Sequence, residues 1–402
     1  MLSGVCFTFR NIFQQYLPFK VCIDCNATPR HIKRRLSALD AHPSLLARIS
    51  EIEIEMIEPQ FAKSQVLNFR TTSYISAFLR NTPRMPRLHT ARFSAVRVEQ
   101  EHLALLFHSS SLHALILVQC RLRKMAYLPP SRIRHLTVRL MDNWLHVEAL
   151  LAHCGANLET LELFSRVGQL PMSAKLPHLP KLRKLQCMGK SGSTSYLDTL
   201  NSLAPQLEDL EVWGREPGSA LVALPVGLNR VRIDQWLIEN CNFGAHAFVR
   251  PQHLHIRYYN HGLVIPTIQR IFPNLTSLEL DIHFYSRSLA LLLARALPKV
   301  TRLQLNMSGA PRHNYDASRN TTETREGPLS SIYVNVAFLR VLKDRMELYK
   351  EWVTQTILRP TTGLGGPHLQ EVEVVFSLFG TSTPVSWWYW KRVKEEWCFK
   401  QY

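Results

Sequence analysis

Two stretches of this sequence have residue types at spacings that could carry chemistry. Cys22-x-x-Cys25 is spaced like half of a zinc site. A structural zinc takes four ligands, and neither a second Cys-x-x-Cys nor a His pair at suitable spacing follows, so no metal is expected. His253 and His255 lie two residues apart and would face the same way on a strand. Two imidazoles without a third ligand read as a solvated or hydrogen-bonded pair. The remaining histidines are scattered. There is no Gly-rich phosphate loop, no G-x-S-x-G elbow and no catalytic cysteine motif. The chain therefore reads as non-enzymatic and without a cofactor.

The elements that position these residues form a repeat. The phrase opens weakly at Leu88-x-x-Ala91-x-Phe93 and continues at Leu112-x-x-Leu115-x-Leu117, Ile133-x-x-Leu136-x-Val138 and Leu158-x-x-Leu161-x-Leu163. It returns at Leu182-x-x-Leu185-x-Cys187, Leu207-x-x-Leu210-x-Val212 and Leu228-x-x-Val231-x-Ile233. Pro251-x-x-Leu254-x-Ile256, Leu275-x-x-Leu278-x-Leu280 and Val300-x-x-Leu303-x-Leu305 close the run. The steps between copies are 24, 21, 25, 24, 25, 21, 23, 24 and 25 residues. This period and phrase resemble the leucine-rich-repeat family. The resemblance implies an α/β solenoid, a curved horseshoe with parallel strands on the concave face and helices on the convex face. The physics agrees: the fourth and sixth residues share one face of a strand, and a single strand buries too little to stand alone. Crossings such as Ile268–Phe272 before Pro273, or Leu289–Leu297 before Pro298, read as helices ended by proline.

The flanks are less regular. Phe19–Ile23 reads as a short strand and Arg30–Leu39 as a helix stopped by His42-Pro43. Ile49-x-x-Ile52-x-Ile54 reads as a first repeat strand with Glu51, Glu53 and Glu55 on its other face, and 64–80 as a second helix. Residues 26–84 thus precede a core of 85–307. A polar loop is expected over 308–328, followed by irregular repeats in 329–402. There Leu329-x-x-Ile332-x-Val334 and Leu369-x-x-Val372-x-Val374 are worn copies, and 337–358 reads as an amphipathic helix. The aromatic tail, with Trp387, Trp388, Trp390 and Trp397, reads as a helix capping the open end, with a partner-binding anchor as the alternative.

Composition bounds the rest. Hydrophobic residues make up 46% of the 402, enough for a folded chain. No apolar run is long enough to span a bilayer, and Leu2–Phe9 lacks a basic start and a small-residue cleavage site. The eight cysteines are scattered, as in a reduced intracellular protein of the cytoplasm or nucleus. A formal charge of +17 favours acidic partners. Lys and Arg are spread along the chain with no run denser than Lys33-Arg34-Arg35, so a solvated basic surface is expected rather than a nucleic-acid track.

Residues 1–24 carry a second resemblance. Val5, Phe9, Ile12 and Phe13 fall at helical spacing, and Val5-Cys6, Phe9-Arg10 and Val21-Cys22-Ile23 match the back half of an F-box and its exit strand. The Leu-Pro-x-Glu opening has no counterpart here, which means loss of that half or a start upstream of Met1. The plan resembles the fungal F-box and leucine-rich-repeat proteins. That implies a substrate-recognition subunit of an SCF-type ubiquitin ligase, a monomer within its complex. Val5, Cys6, Phe9, Ile12 and Phe13 would meet a Skp-type adaptor, and the repeats would hold a protein target. The alternative is a repeat scaffold unrelated to ubiquitin. On the exposed strand face, Phe164, Met188 and Trp213 would form an apolar ridge. Arg230, Arg232, His253, His255 and Arg257 would form a basic patch beside it. Such a surface suits protein recognition, although ordinary strand surfaces also carry aromatic residues.

Overall fold

The computed structural model describes residues 19–25, 27–56, 73–123, 125, 127–139, 145–164, 177–188, 200–213, 227–240, 251–259, 265–282, 299–307, 331–338, 350, 353–354, 358, 369–378, 384–393 and 396–401. It divides into two compact units, Met1–Leu207 and Glu208–Tyr402.

In the first unit the chain lays down β1 (Phe19–Asp24), β2 (Ile49–Glu55), β3 (Thr90–Ser94), β4 (Arg97–Glu99), β5 (Ala114–Val118), β6 (Arg121–Arg123), β7 (His135–Arg139), β8 (Thr160–Phe164) and β9 (Lys184–Met188). The main sheet runs β1-β2-β3-β5-β7-β8-β9, and every described pairing in it is parallel. The register follows the repeat phrase. Ala91 lies against Leu115, Leu115 against Leu136, Leu136 against Leu161 and Leu161 against Leu185. Parallel neighbours need a crossover, and helices Gln100–Phe107 and Leu145–Cys154 supply two. The first is closed by a capping box in which His102 Nδ1 accepts from the Glu99 N–H at 3.2 Å. The helix Pro29–Asp40 starts where Pro29 meets the helical φ requirement and Thr28 accepts from the His31 N–H.

β4 and β6 form a second, two-stranded parallel sheet. It follows a sharp turn in each repeat, where Ala95 and Gln119 take φ of 56° and 54°. The turns are held by the Ala95 N–H to the Val118 carbonyl (2.8 Å) and the Gln119 N–H to the Arg139 carbonyl (2.7 Å).

In the second unit β10 (Asp209–Trp213), β11 (Arg230–Asp234), β12 (His253–Tyr259), β13 (Ser277–Ile282), β14 (Arg302–Met307), β15 (Ser331–Phe338) and β16 (Glu371–Leu378) pair in order, all parallel. Short helices at Gln235–Asn240 and Ile265–Ile271 lie in two of the connections. β17 (Pro384–Val393) and β18 (Glu396–Gln401) then add an antiparallel hairpin. This corrects the expected capping helix. The aromatic run alternates with period two: Trp388 and Trp390 are buried at 1% and 4% exposure, whereas Trp387 is 40% exposed. That pattern belongs to a strand with one face in the core. The ring of Trp390 stacks 4.9 Å from Phe399 across the hairpin. Ala337 and Phe338, read as the start of a helix, end strand β15 instead, because β-branched and aromatic residues from Ile332 onward continue the pairing with β16. Most of the expected 337–358 helix, the 308–328 loop and most of the 64–80 helix lie outside the described residues, although 73–79 is helical.

Within each unit the core is made by the fourth and sixth phrase residues. Leu136, Val138, Leu161, Leu163, Leu185 and Cys187 in the first unit are buried, as are Val231, Ile233, Leu254, Ile256, Leu278 and Leu280 in the second. Leu161→Ala should lower the unfolding free energy by about 2–5 kcal/mol through the lost apolar group and the cavity left behind. Thr160→Ala, one residue away and on the other face, should shift it by less than about 1 kcal/mol. Urea titration of the two variants reads this directly, and equal effects would refute the inward–outward alternation.

Candidate binding face

The third, fifth and seventh residues of each phrase point away from the core and are half-buried or exposed along most of the described strands. On this face side chains from successive strands meet at one strand spacing, so residues more than twenty apart in sequence become neighbours.

In the first unit Lys20 Nζ reaches Glu53 at 2.7 Å and Glu51 at 3.3 Å, and Arg92 Nε reaches Glu53 at 3.2 Å. The acidic edge of β2 is therefore charge-paired from both neighbouring strands. Farther along, Arg139 bridges to Glu162 (3.1 Å), which also accepts from the Thr137 hydroxyl (3.2 Å). The Arg139 guanidinium lies over the Phe164 ring at 4.3 Å, a cation–π contact. Phe164 and Met188 are in register on β8 and β9, so that part of the expected apolar ridge exists. Trp213 belongs to the other unit, and its side chain lies outside the described residues. Val5, Cys6, Phe9, Ile12 and Phe13 also lie outside them.

In the second unit all five expected basic residues are brought together. Arg230 pairs in register with His253, Arg232 with His255, and Asp234 with Arg257. The patch is not uniformly basic, however, which corrects the expectation. Arg232 Nη1 is 2.8 Å from Glu211 Oε2 on β10, and Glu211 is only 7% exposed. His255 Nε2 is 2.9 Å from Asp281 Oδ1 and 3.8 Å from Glu279 Oε1 on β13. The carboxylates come from adjacent strands, so the register alone decides which charges meet.

His255, Glu279 and Asp281 place their ligand atoms within 4.8 Å of one another, a cluster that could hold a cation. Asn306 Nδ2 already donates to Glu279 Oε1 and Asp281 Oδ1 at 2.7 Å each, and Gln304 Nε2 donates to Glu279 at 2.9 Å. The acceptors are thus satisfied without a metal, and the cluster ties β12, β13 and β14 together. Burial by itself raises the Asp281 carboxyl. The hydrogen bond and charge of His255, with Asn306 and the charge of Arg257, outweigh it and hold the group below the usual carboxylate range. His253 is lowered by partial desolvation and then by the charges of Arg230 and Arg302.

Cys22 and Cys25 do not form a reactive pair. Burial and the Cys22 Sγ–H donated to Glu55 at 3.3 Å push the Cys22 thiol up to about 11. Burial pushes Cys25 to about 12. Burial does the same to Cys120, pushed to about 12, and Cys154, to about 11, so these thiols stay protonated at neutral pH.

The sequence reading missed the acidic half of this face as a partner of the basic half. Its signal was available in the twenty-one-residue step from Glu211 to Arg232, which the phrase register turns into a contact. Among the described residues, no helix is long and apolar enough to cross a membrane. No protein-family model matches the sequence, and no curated protein matches it.

Two outcomes follow from these pairs. Arg232→Ala removes the guanidinium from a buried carboxylate and should destabilise the chain by about 1–3 kcal/mol, measured as a fall in the urea midpoint; an unchanged midpoint would show that the pair is neutral. For Asp281 the ordinary value is 3.8 and the folded value lies below it. The stability it adds is complete above the ordinary value and is lost as pH falls through the folded one. The wild type should therefore exceed Asp281→Asn in stability at neutral pH, and the gap should begin to close only below pH 3.8 and vanish as pH falls through the folded value. A gap that stays constant into acid would assign the effect to shape rather than charge.

Proposed function

We propose that this chain is a non-catalytic protein-binding module of the leucine-rich-repeat kind, with the outward sheet face receiving the partner. The observation that supports this most directly is the register. Each strand of the array whose side chains are described keeps apolar residues inward at the fourth and sixth phrase positions, while the outward positions vary freely among charged, polar and aromatic types. A sheet with a constant inner face and a variable outer one serves recognition.

Within that reading, the chain acts as the substrate-recognition subunit of an SCF-type ubiquitin ligase, intracellular and monomeric within its complex. The support is the F-box-like match over Val5-Cys6, Phe9-Arg10 and Val21-Cys22-Ile23. The ligase chemistry would belong to other subunits. One observation favours the alternative of a scaffold unrelated to ubiquitin. Val21 and Ile23 are buried in β1, which pairs in parallel with β2, so this part of the match has a structural use that needs no adaptor.

A pull-down with a Skp-type adaptor separates the two, using the chain as it stands and the chain extended by its upstream reading frame. Capture of the adaptor by either form, lost on Phe9→Ala, is the expected result for the ligase reading. Failure of both forms to capture it would remove the ubiquitin link and leave the scaffold.

A further inference from the structure

We propose that the row Arg230–His253–Ser277–Arg302 on the outward face receives a short acidic segment of a protein partner, with two carboxylates about four residues apart. The inference rests on the protein-binding reading above and adds the chemistry of the partner.

The four residues occupy one register line across β11, β12, β13 and β14: Arg230 opposes His253, His253 opposes Ser277, and Ser277 opposes Arg302. Arg230, His253 and Arg302 are exposed and Ser277 is half-buried. Among the described residues neither Arg230 nor Arg302 has an ion-pair partner within 4.0 Å, in contrast to Arg232 beside Glu211. Two arginines without an ion pair among the described residues thus stand at the ends of a polar line, with an imidazole and a hydroxyl between them; the charge of Arg302 also reaches Glu373, where it acts against the burial that raises that carboxyl. The field they make is felt at His253, where both act to disfavour the imidazolium. A negative group placed there would relieve that repulsion.

The surroundings select the kind of anion. On the same line Asp209 precedes Arg230, and beyond Ser331 comes Glu371, itself 3.8 Å from Lys391. On the next line of outward residues lie Glu211, Glu279 and Glu373. A polyanion such as nucleic acid needs a continuous basic track and would meet these carboxylates on both sides. A short acidic window fits between them. Three strand spacings separate Arg230 from Arg302 by about 14 Å, and four residues of an extended peptide span about 13–14 Å. One carboxylate per guanidinium, with Ser277 and His253 supplying donors between, gives charge balance without forcing two anions together.

The test uses the full chain, the double variant Arg230→Gln/Arg302→Gln, and Arg87→Gln, an exposed arginine of the other unit, as control. A random dodecapeptide display library is panned on each. Selected peptides and their Glu→Gln counterparts are then compared by fluorescence anisotropy. The expected result is enrichment of peptides with two acidic residues spaced three to five positions apart. Their affinity should drop at least about tenfold on Glu→Gln substitution or in the double variant, and hold in the control. Because both arginines are exposed, the double variant should keep the wild-type melting temperature. Enrichment of acid-free peptides would overturn the inference while leaving the protein-binding reading intact. No enrichment, or an acidic preference that survives the double variant, would also overturn it. So would tight binding of a labelled single-stranded oligonucleotide that the double variant abolishes, which would assign the row to a polyanion.

Discussion

At the start of eight described strands of the repeat array, one carbonyl accepts two N–H groups from the repeat that follows. The Arg134 carbonyl takes the N–H groups of Glu159 and Thr160, and the Glu159 carbonyl takes those of Arg183 and Lys184. In the second unit the same bifurcated bond recurs from Glu208 to Asn229 and Arg230, from Asn229 to Gln252 and His253, from Gln252 to Thr276 and Ser277, and from Thr276 to Thr301 and Arg302. Each link uses backbone atoms only, at the second and third phrase positions. It fixes where a strand begins relative to the one before, whatever side chains surround it. Parallel strands would otherwise be free to slip, and a slip of one residue would turn the leucines outward. The core and the register of the outward face both depend on this bond, which is why steps of 21 and 25 residues coexist in one array. The difference is absorbed in the crossover.

This explains what could be read from the chain. The phrase positions marked strands because the buried residues are two apart, and the nine strands carrying the full copies and the one carrying the weak copy at Ala91 all formed where the phrase placed them. The small sheet of β4 and β6 was not legible. Its strands are three residues long, and they depend on the positive φ of Ala95 and Gln119, residues whose types give no hint of a left-handed turn. The C-terminal hairpin was misread for another reason. Trp387, Trp388, Tyr389 and Trp390 in succession suit a helix face as well as a strand when aromatic content alone is weighed, and only the alternation of buried and exposed rings separates the two.

The outward face was legible by position and illegible by charge. Arg232 and His255 were correctly placed next to each other, yet each is met by an acid from a further strand. A basic patch inferred from one set of strands counts cations without the anions beside them. Arg230 and Arg302, which have no ion pair among the described residues, sit at the strand starts, where His253 and Ser277 lie between them; Asp209 is opposite Arg230 on its other side without closing an ion pair.

The two kinds of outward residue therefore have different physical roles. Pairs such as Arg232–Glu211 and His255–Asp281 span adjacent strands, are half-buried or more, and add specificity to the register that the backbone bonds set. A partner that sought those cations would have to displace an acid already held at 2.8–2.9 Å, and would gain little. Among the described residues Arg230 and Arg302 hold no carboxylate within 4.0 Å, so an incoming one would have none of these pairs to displace. An acidic partner of the kind proposed would therefore meet this face at the line where structural pairing stops, and the +17 formal charge of the whole chain is a poor guide to where such a partner would bind.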